Sequence, residues 1–265
     1  VAQAASGLTE QSGLPAPHPP AGWGFSYMDW SGAYYCAITM LCALYYKKRT
    51  GKGQYIDCSQ VEPGIYMTGT AILDSLVNGR HSERTGNRSV AKPAAPHGAY
   101  RCVGEDRWIA IAVMNEDEWR ALVQQMGNPT WAQHDRFATL SARVQHQDEL
   151  DAFVTAWTKD QEPFALQARL QQAGVPAGVC QTAQDRIERD PQLKHLHWLI
   201  PLPHSEIGVW PIKDVPFHFT NGTVNQGGPT ERAAPCYGED SDYVYGELLK
   251  LTKQERVDLE KEGVI

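Results

Sequence analysis

Residues 24–62 read GFSYMDWSGAYYCAITMLCALYYKKRTGKGQYIDCSQVE, and this stretch decides how the rest of the chain is interpreted. Its centre, residues 34–46, is apolar and contains neither Pro nor Gly, so its length predicts a buried helix rather than a strand. Basic residues follow at 47–49, as is typical of a helix C-terminus. Asp29 stands at the other end, where the amide dipoles of a helix entrance favour an anion.

The pattern downstream of this helix changes twice. Residues 50–53 read TGKG and predict a turn, and residues 54–59 predict a short strand. Ser59 and Glu62 have the spacing of a capping box, which predicts that the next helix covers residues 61–76. From these residues alone Asp29 has two possible roles, since an aspartate before a helix is commonly its N-cap. The other role is that of a functional carboxylate.

Several segments resemble the family III CoA-transferases, the group that contains formyl-CoA:oxalate and carnitine CoA-transferases. The first is the stretch from Asp29 through KKRTGKGQYID at residues 47–57. Others follow the family's order along the chain: VAQAASGL at 1–8, GAYRC at 98–102, WIAIA at 108–112, DRFAT at 135–139, AGVPA at 173–177 and EGVI at 262–265. Together they cover nearly the whole chain.

The domain organisation is expected to be that of an α/β protein, since helices alternate with short strands. The resemblance implies part of a Rossmann-like large domain, a smaller α+β domain and an interlocked dimer. It also implies that the chain lacks the family's N-terminal part: either the chain is a fragment or a proteolysed piece, or a homodimer or a second chain supplies the missing part. Gly- and Pro-containing stretches at 78–98 and 200–220 predict the domain boundaries. The resulting segments are 1–85 and 206–265 for the large domain and 86–205 for the small one.

The predicted small domain has clear local signals. Two short runs, residues 99–102 and 108–113, flank a Gly-containing turn and predict a β-hairpin. Asn115 is a suitable N-cap for a helix over 116–126. Further helices are predicted at 147–158 and 162–173, a short one from Thr182 to about Glu188, edge strands within 198–219, a loop at 221–236, and terminal helices at 241–250 and 252–262.

The resemblance implies a role for Asp29 as the nucleophile that attacks an acyl-CoA, forming an aspartyl anhydride and then an aspartyl-CoA thioester. Coenzyme A is then a co-substrate, with a carboxylic acid as acceptor, and no permanently bound cofactor is expected. Tyr27 is a candidate substrate-binding residue, with Trp23, Phe25 and Trp30 as further aromatic neighbours that exclude water. His97 is a second candidate for the substrate pocket, and a structural loop histidine is the alternative.

Two other functions stay open. The first is an α-methylacyl-CoA racemase, which shares the fold and would use Asp29 as acid and base. A racemase needs no acceptor acid, so an assay with one acyl-CoA alone separates the two enzymes. The second is a non-catalytic subunit or fragment that interlocks with a partner, for which co-purification of a second chain is the test.

Composition excludes several classes of partner. A net charge of −7 and a pI near 5.7 argue against a nucleic-acid surface. The sequence shows neither a membrane-spanning apolar run nor a signal-peptide pattern, which favours a cytoplasmic protein with no membrane partner. No metal is expected, since the histidines lack ligand spacing. A basic cluster, Arg80, Arg84, Arg88 and Lys92, is either an anion site or a solvated loop.

Overall fold

The computed structural model describes residues 1–22, 24–213 and 232–265, which divide into two compact units, Val1–Cys180 and Gln181–Ile265. Both units mix helices with small antiparallel sheets, so the expected α/β class is confirmed. The boundaries at 85/86 and 205/206 stay a prediction. In the described ranges every helix is too short or too polar to cross a bilayer.

The first unit begins with four helices: α1 (Ala2–Ala5), α2 (Tyr27–Thr50), α3 (Val61–Met67) and α4 (Gly69–Asn78). Gly51 ends α2 in the left-handed conformation, with φ of 74°, and donates its N–H to the Lys47 carbonyl. The predicted helix at 61–76 is interrupted at Thr68, which separates α3 from α4.

Two expectations for this region differ from the structure. Helix α2 is not buried in the single chain, because α1 and α3 cover only its first turns and only Met28 and Gly32 are buried. Tyr34 and Leu41 are 60% and 66% exposed. Residues 54–59 form no strand, because none of the described strands pairs with them and an extended segment needs a neighbour to make a ladder.

The rest of the first unit is built on a three-stranded antiparallel sheet in the order β1 (His97–Arg101), β2 (Trp108–Ala112) and β3 (Ala177–Val179). This confirms the predicted hairpin. Between β2 and β3 lie five helices and a 3₁₀ turn: α5 (Glu116–Gln125), the turn at Thr130–Gln133, α6 (Asp135–Ala138), α7 (Leu140–Gln145), α8 (Gln147–Thr158) and α9 (Pro163–Gln172). Asn115 caps α5 by accepting the Glu118 N–H, as predicted.

The core of this unit lies between one face of the sheet and α5, α8 and α9. Tyr100, Ile109 and Ile111 point from the strands toward the buried leucines and valines of these helices. Trp131 adds an aromatic layer, stacking on Phe153 with ring centroids 4.4 Å apart. Because apolar residues in α8 and α9 recur every three or four positions, the helical pattern predicted both elements correctly.

The second unit contains α10 (Ala183–Glu188), α11 (Pro191–His195), the hairpin β4 (Leu199–His204) and β5 (Gly208–Lys213), a π-helix at Asp242–Leu248, and α12 (Lys253–Lys261). Pro201 lies opposite Pro211 in the hairpin, which is tolerated because both strands are edges. Thr182 and Thr252 each complete a capping box, as the sequence predicted for Thr252. Residues 214–219 and 221–231 of the predicted strands and loop lie outside the described residues.

Candidate active site

Asp29 lies in the first turn of α2, two residues after the helix begins at Tyr27. Ser26, not Asp29, is the N-cap residue, so the interpretation of Asp29 as a cap is wrong. The turn is fixed from outside by Gln3, whose side-chain amide donates to the Phe25 carbonyl at 2.8 Å. Asp29 is exposed, and its position in the first turn places the carboxylate at the positive end of a 24-residue helix.

The side chain of Gln60, the N-cap residue of α3, orients this carboxylate. Gln60 Nε2 donates to Asp29 Oδ1 at 3.0 Å. The approach is close because Gly32 lies one turn along α2: a Cβ there would be 3.2 Å from Gln60 Cγ. Gly64 of α3 likewise allows a close approach, since a Cβ there would be 2.5 Å from Ser6 Cβ at the end of α1. Two glycines thus allow α1, α2 and α3 to meet under Asp29.

A cleft of about 460 Å³ opens beside the carboxylate. Its walls are the first residues of the chain and the segment before α2: Val1, Ala2, Gln3, Ala4, Thr9, Gly24, Phe25, Ser26, Met28 and Asp29. Phe25 stacks on Trp30 with centroids 5.8 Å apart, and both rings are partly exposed. Gln60 holds Oδ1 of the Asp29 carboxylate, and Asp29 itself lines this cleft.

The structure separates the predicted substrate residues. Tyr27 is half-buried and lies two residues before Asp29, but it is not among the described residues that line the Asp29 cleft. His97 begins β1 and lines a different cleft, on the sheet. Trp23 lies outside the described residues. Gln60 is the contact that sequence reasoning missed, since no periodicity or motif marks a lone glutamine ahead of a helix.

The arginines of the basic cluster are paired within the chain. Arg80 contacts Asp74 at 2.6 Å, and Arg88 contacts Asp148. Arg84 donates to the carbonyls of Leu14 at 3.0 Å and His18 at 2.8 Å and pairs with Glu10. Its guanidinium therefore joins two segments of the fold. Because these contacts occupy the guanidinium, the hypothesis that Arg84 binds an external anion is not supported.

No metal centre is indicated in the part of the chain that the structure describes, where no three His, Cys, Asp or Glu side chains cluster. What the geometry offers instead is a carboxylate on a helix entrance, held by an amide and facing a cleft. Such a group suits nucleophilic or acid–base chemistry that needs no redox step.

The order of the sequence segments and the helix-borne carboxylate fit one class of enzyme. The chain belongs to CoA-transferase family III, which it matches over residues 1–241. The resemblance found in the sequence is thereby confirmed.

Two relatives and one crystal structure show which known proteins the chain is similar to. The chain is 32% identical over 238 residues to a probable CoA-transferase of Mycobacterium tuberculosis, covering 86% of this chain and 28% of that protein. It is 30% identical over 270 residues to the succinyl-CoA–D-citramalate CoA-transferase of Chloroflexus aurantiacus, covering 100% of this chain and 64% of the relative. The crystal structure of a CaiB/BaiF family protein from Brucella suis superimposes with a TM-score of 0.80 at 27% identity, covering 93% of this chain and 61% of the other.

The chain therefore spans less than two thirds of the length of each of these proteins. The structural superposition confirms that its fold is the family III CoA-transferase fold.

Proposed function

We propose that the protein transfers coenzyme A from an acyl-CoA to a carboxylic acid, with Asp29 as the nucleophile. The observation that carries this proposal is the placement of Asp29 in the first turn of α2, held by Gln60 and open to a cleft. The family supports the reaction class, since its relatives are named CoA-transferases. Coenzyme A acts here as a co-substrate.

Four acyl-transfer steps account for the reaction. The Asp29 carboxylate attacks the thioester carbonyl, the C–S bond breaks, and a mixed anhydride forms as CoA thiolate leaves. The thiolate attacks the aspartyl carbonyl of the anhydride, giving an aspartyl-CoA thioester and the free donor acid. The acceptor carboxylate attacks that thioester and expels the thiolate again. The thiolate then attacks the acceptor's own carbonyl, which yields the new acyl-CoA and restores Asp29.

Each neighbour of Asp29 contributes a specific physical effect. The Gln60 amide orients the carboxylate by donating a hydrogen bond to Oδ1. The first-turn amides of α2 supply positive potential to the same anion and to an oxyanion formed beside it. Tyr27 is proposed as a substrate contact, since it flanks this turn.

The anhydride must be shielded from water, and in this single chain Phe25 and Trp30 are exposed beside Asp29. The apolar side of α2 is also uncovered. Both observations support a further part of the proposal: that the working enzyme is an interlocked homodimer or a complex with a second chain. The segments 1–85 and 206–265 would then form its large domain and 86–205 its small domain, in a cytoplasmic enzyme without a permanently bound cofactor.

The test is intact and peptide mass spectrometry after incubation with acyl-CoAs in the presence of hydroxylamine. An activated aspartyl carbonyl is expected to be trapped as a hydroxamate on the peptide that contains Asp29. Asp29→Asn should abolish this mass change, whereas Asp57→Asn, an exposed aspartate on the extended segment after α2, should retain it. Absence of trapping at Asp29 across an acyl-CoA panel, together with epimerisation at C2 of a single 2-methylacyl-CoA, would replace the transferase with the racemase.

A further inference from the structure

The face of the β1–β2–β3 sheet that lies away from the core carries unusually small side chains. Residues directly opposite one another share a face, and the register pairs His97 with Ala112, Ala99 with Ala110, and Ala110 with Gly178. Apart from His97, this part of the face consists of alanine and glycine. Both residue types are poor strand formers, and glycine within a strand often marks a place where a ligand or another backbone approaches closely.

These small residues form the floor of a cleft of about 600 Å³, which is within the range of small-molecule sites. The segment 86–88 forms one wall, and Pro176 and Cys180 contribute to the opposite side. Every contributing residue belongs to the first unit. The wall is held in place because Gly86 packs against Leu14 and Pro15 of the N-terminal loop, 3.6 Å from the position its Cβ would take.

The cleft is lined by the polar residues Asn87, Arg88 and His97 as well as by the small residues of its floor. The Asn87 carbonyl can only accept, so His97 Nδ1 donates its proton there. No described residue hydrogen-bonds the other ring nitrogen, Nε2. Arg88 lies beside it on the wall and pairs with Asp148. That pair is a surface contact, with side chains 43% and 91% exposed, so a competing anion displaces it at little cost.

We propose that this cleft binds a monocarboxylate with a short aliphatic body, its carboxylate at Arg88 and its body on the Ala99–Ala110–Gly178 floor. This cleft is separate from the Asp29 cleft, so the inference goes beyond the proposed function and assigns the chain a second site, for a small acid. A guanidinium matches a carboxylate with two parallel hydrogen bonds. A more highly charged anion is disfavoured because Asp148 and the half-buried Asp151 both lie close enough to act on the charge of Arg88.

The experiment titrates the full chain with butanoate by ligand-observed NMR. Butylammonium, which has the same body and the opposite charge, and inorganic phosphate are the comparison probes. Butanoate should bind at millimolar concentration and the other two should not. Arg88→Met should weaken butanoate binding about tenfold or more, since a charge-assisted hydrogen bond is lost. Asp148→Asn should bind butanoate at least as tightly as wild type, because it frees Arg88.

A steric variant tests the floor. Ala110→Leu places a branched side chain in the cleft and should abolish butanoate binding, whereas Ala152→Leu, the same change on the exposed side of α8, should leave it intact. Equal thermal melting curves for the two variants show that Ala110→Leu has folded. Unchanged butanoate affinity in Ala110→Leu, weaker binding in Asp148→Asn, or tight phosphate binding would each overturn the assignment.

Two further outcomes are distinguishable. If Ala110→Leu lowers the oligomeric state while butanoate binding persists, the face is an interface between copies of the chain and the ligand assignment is wrong. Butanoate binding in the cleft without hydroxamate trapping at Asp29 would remove the proposed transferase and leave this inference standing. Hydroxamate trapping at Asp29 without butanoate binding would support the proposed transferase and overturn this inference.

Discussion

Arg143 is fully buried and is expected to be the most sensitive charged residue for stability. Its Nε donates to the Ala95 carbonyl at 3.1 Å, and its Nη1 donates to the Phe137 carbonyl at 3.2 Å and to Glu116 Oε2 at 2.8 Å. The guanidinium carbon lies 4.7 Å from the ring centroid of Trp119. One side chain of α7 therefore joins the approach to β1, the end of α6 and the helix α5.

The proposed perturbation is Arg143→Met, which keeps most of the aliphatic bulk and removes the charge and the donors. Two buried carbonyls lose their side-chain donor, at roughly 1–3 kcal/mol each, and the cation–π contact contributes up to about 2 kcal/mol. Relief from burying a charge offsets part of this loss, because Arg143 Nη2 has no partner in the described structure. The net expectation is a loss of about 2–4 kcal/mol.

Urea unfolding followed by tryptophan fluorescence measures this loss, since Trp119 and Trp131 lie in the same core. Arg120→Met is the matched control: its side chain is 75% exposed and pairs only with Asp117 at the surface, so its cost should stay below about 0.5 kcal/mol. A midpoint for Arg143→Met equal to that of Arg120→Met, at an unchanged slope, would refute the view that buried hydrogen bonds from Arg143 hold these elements together.

Two further predictions concern buried packing and charge. Burial raises the pKa of Asp151, although Tyr100 donates a 2.7 Å hydrogen bond to it. A carboxyl whose pKa is higher in the folded state lowers the free energy of unfolding as pH rises from about 3.9, the unfolded value, through the folded value. Asp151→Asn should therefore be more stable than wild type at pH 7, and this gain should vanish in acid. Thermal melting measured as a function of pH tests the prediction. Gly64→Ala should cost about 1–3 kcal/mol in thermal or urea unfolding, because its Cβ would overlap Ser6. Gly69→Ala, with open space around it, should be neutral or stabilising, and equal losses for both would contradict the packing argument.

Features that depend on a few neighbouring residues were predicted correctly from the sequence, whereas features that depend on contacts between distant segments were not. The hairpin of β1 and β2, the Asn115 cap and the helices α8 and α9 were predicted because turn residues, caps and periodicity act over a few neighbouring residues. The burial of α2 was not, because apolar composition does not say which surface covers a helix. The segment 54–59 failed as a strand for the same reason, since a ladder requires a partner from elsewhere.

The candidate site was predictable in one part only. The position of Asp29 near the entrance of α2 followed from the sequence, whereas its contact with Gln60 depends on how α2 and α3 cross at Gly32. The sheet face made of small residues was also not predicted from the sequence. The alternation in WIAIA is visible, but the face formed by β1, β2 and β3 appears only when residues 177–179 are placed beside residues 109–111.

Arg84 gives the N-terminal loop an influence over a remote region. Because its side chain is only 10% exposed and donates hydrogen bonds to the carbonyls of Leu14 and His18, Arg84 fastens the loop to the segment around residue 84. That segment continues directly into the wall at 86–88, which itself packs on the loop. Insertions or deletions in the proline-rich loop would therefore change the width of the sheet cleft without changing any residue of its floor.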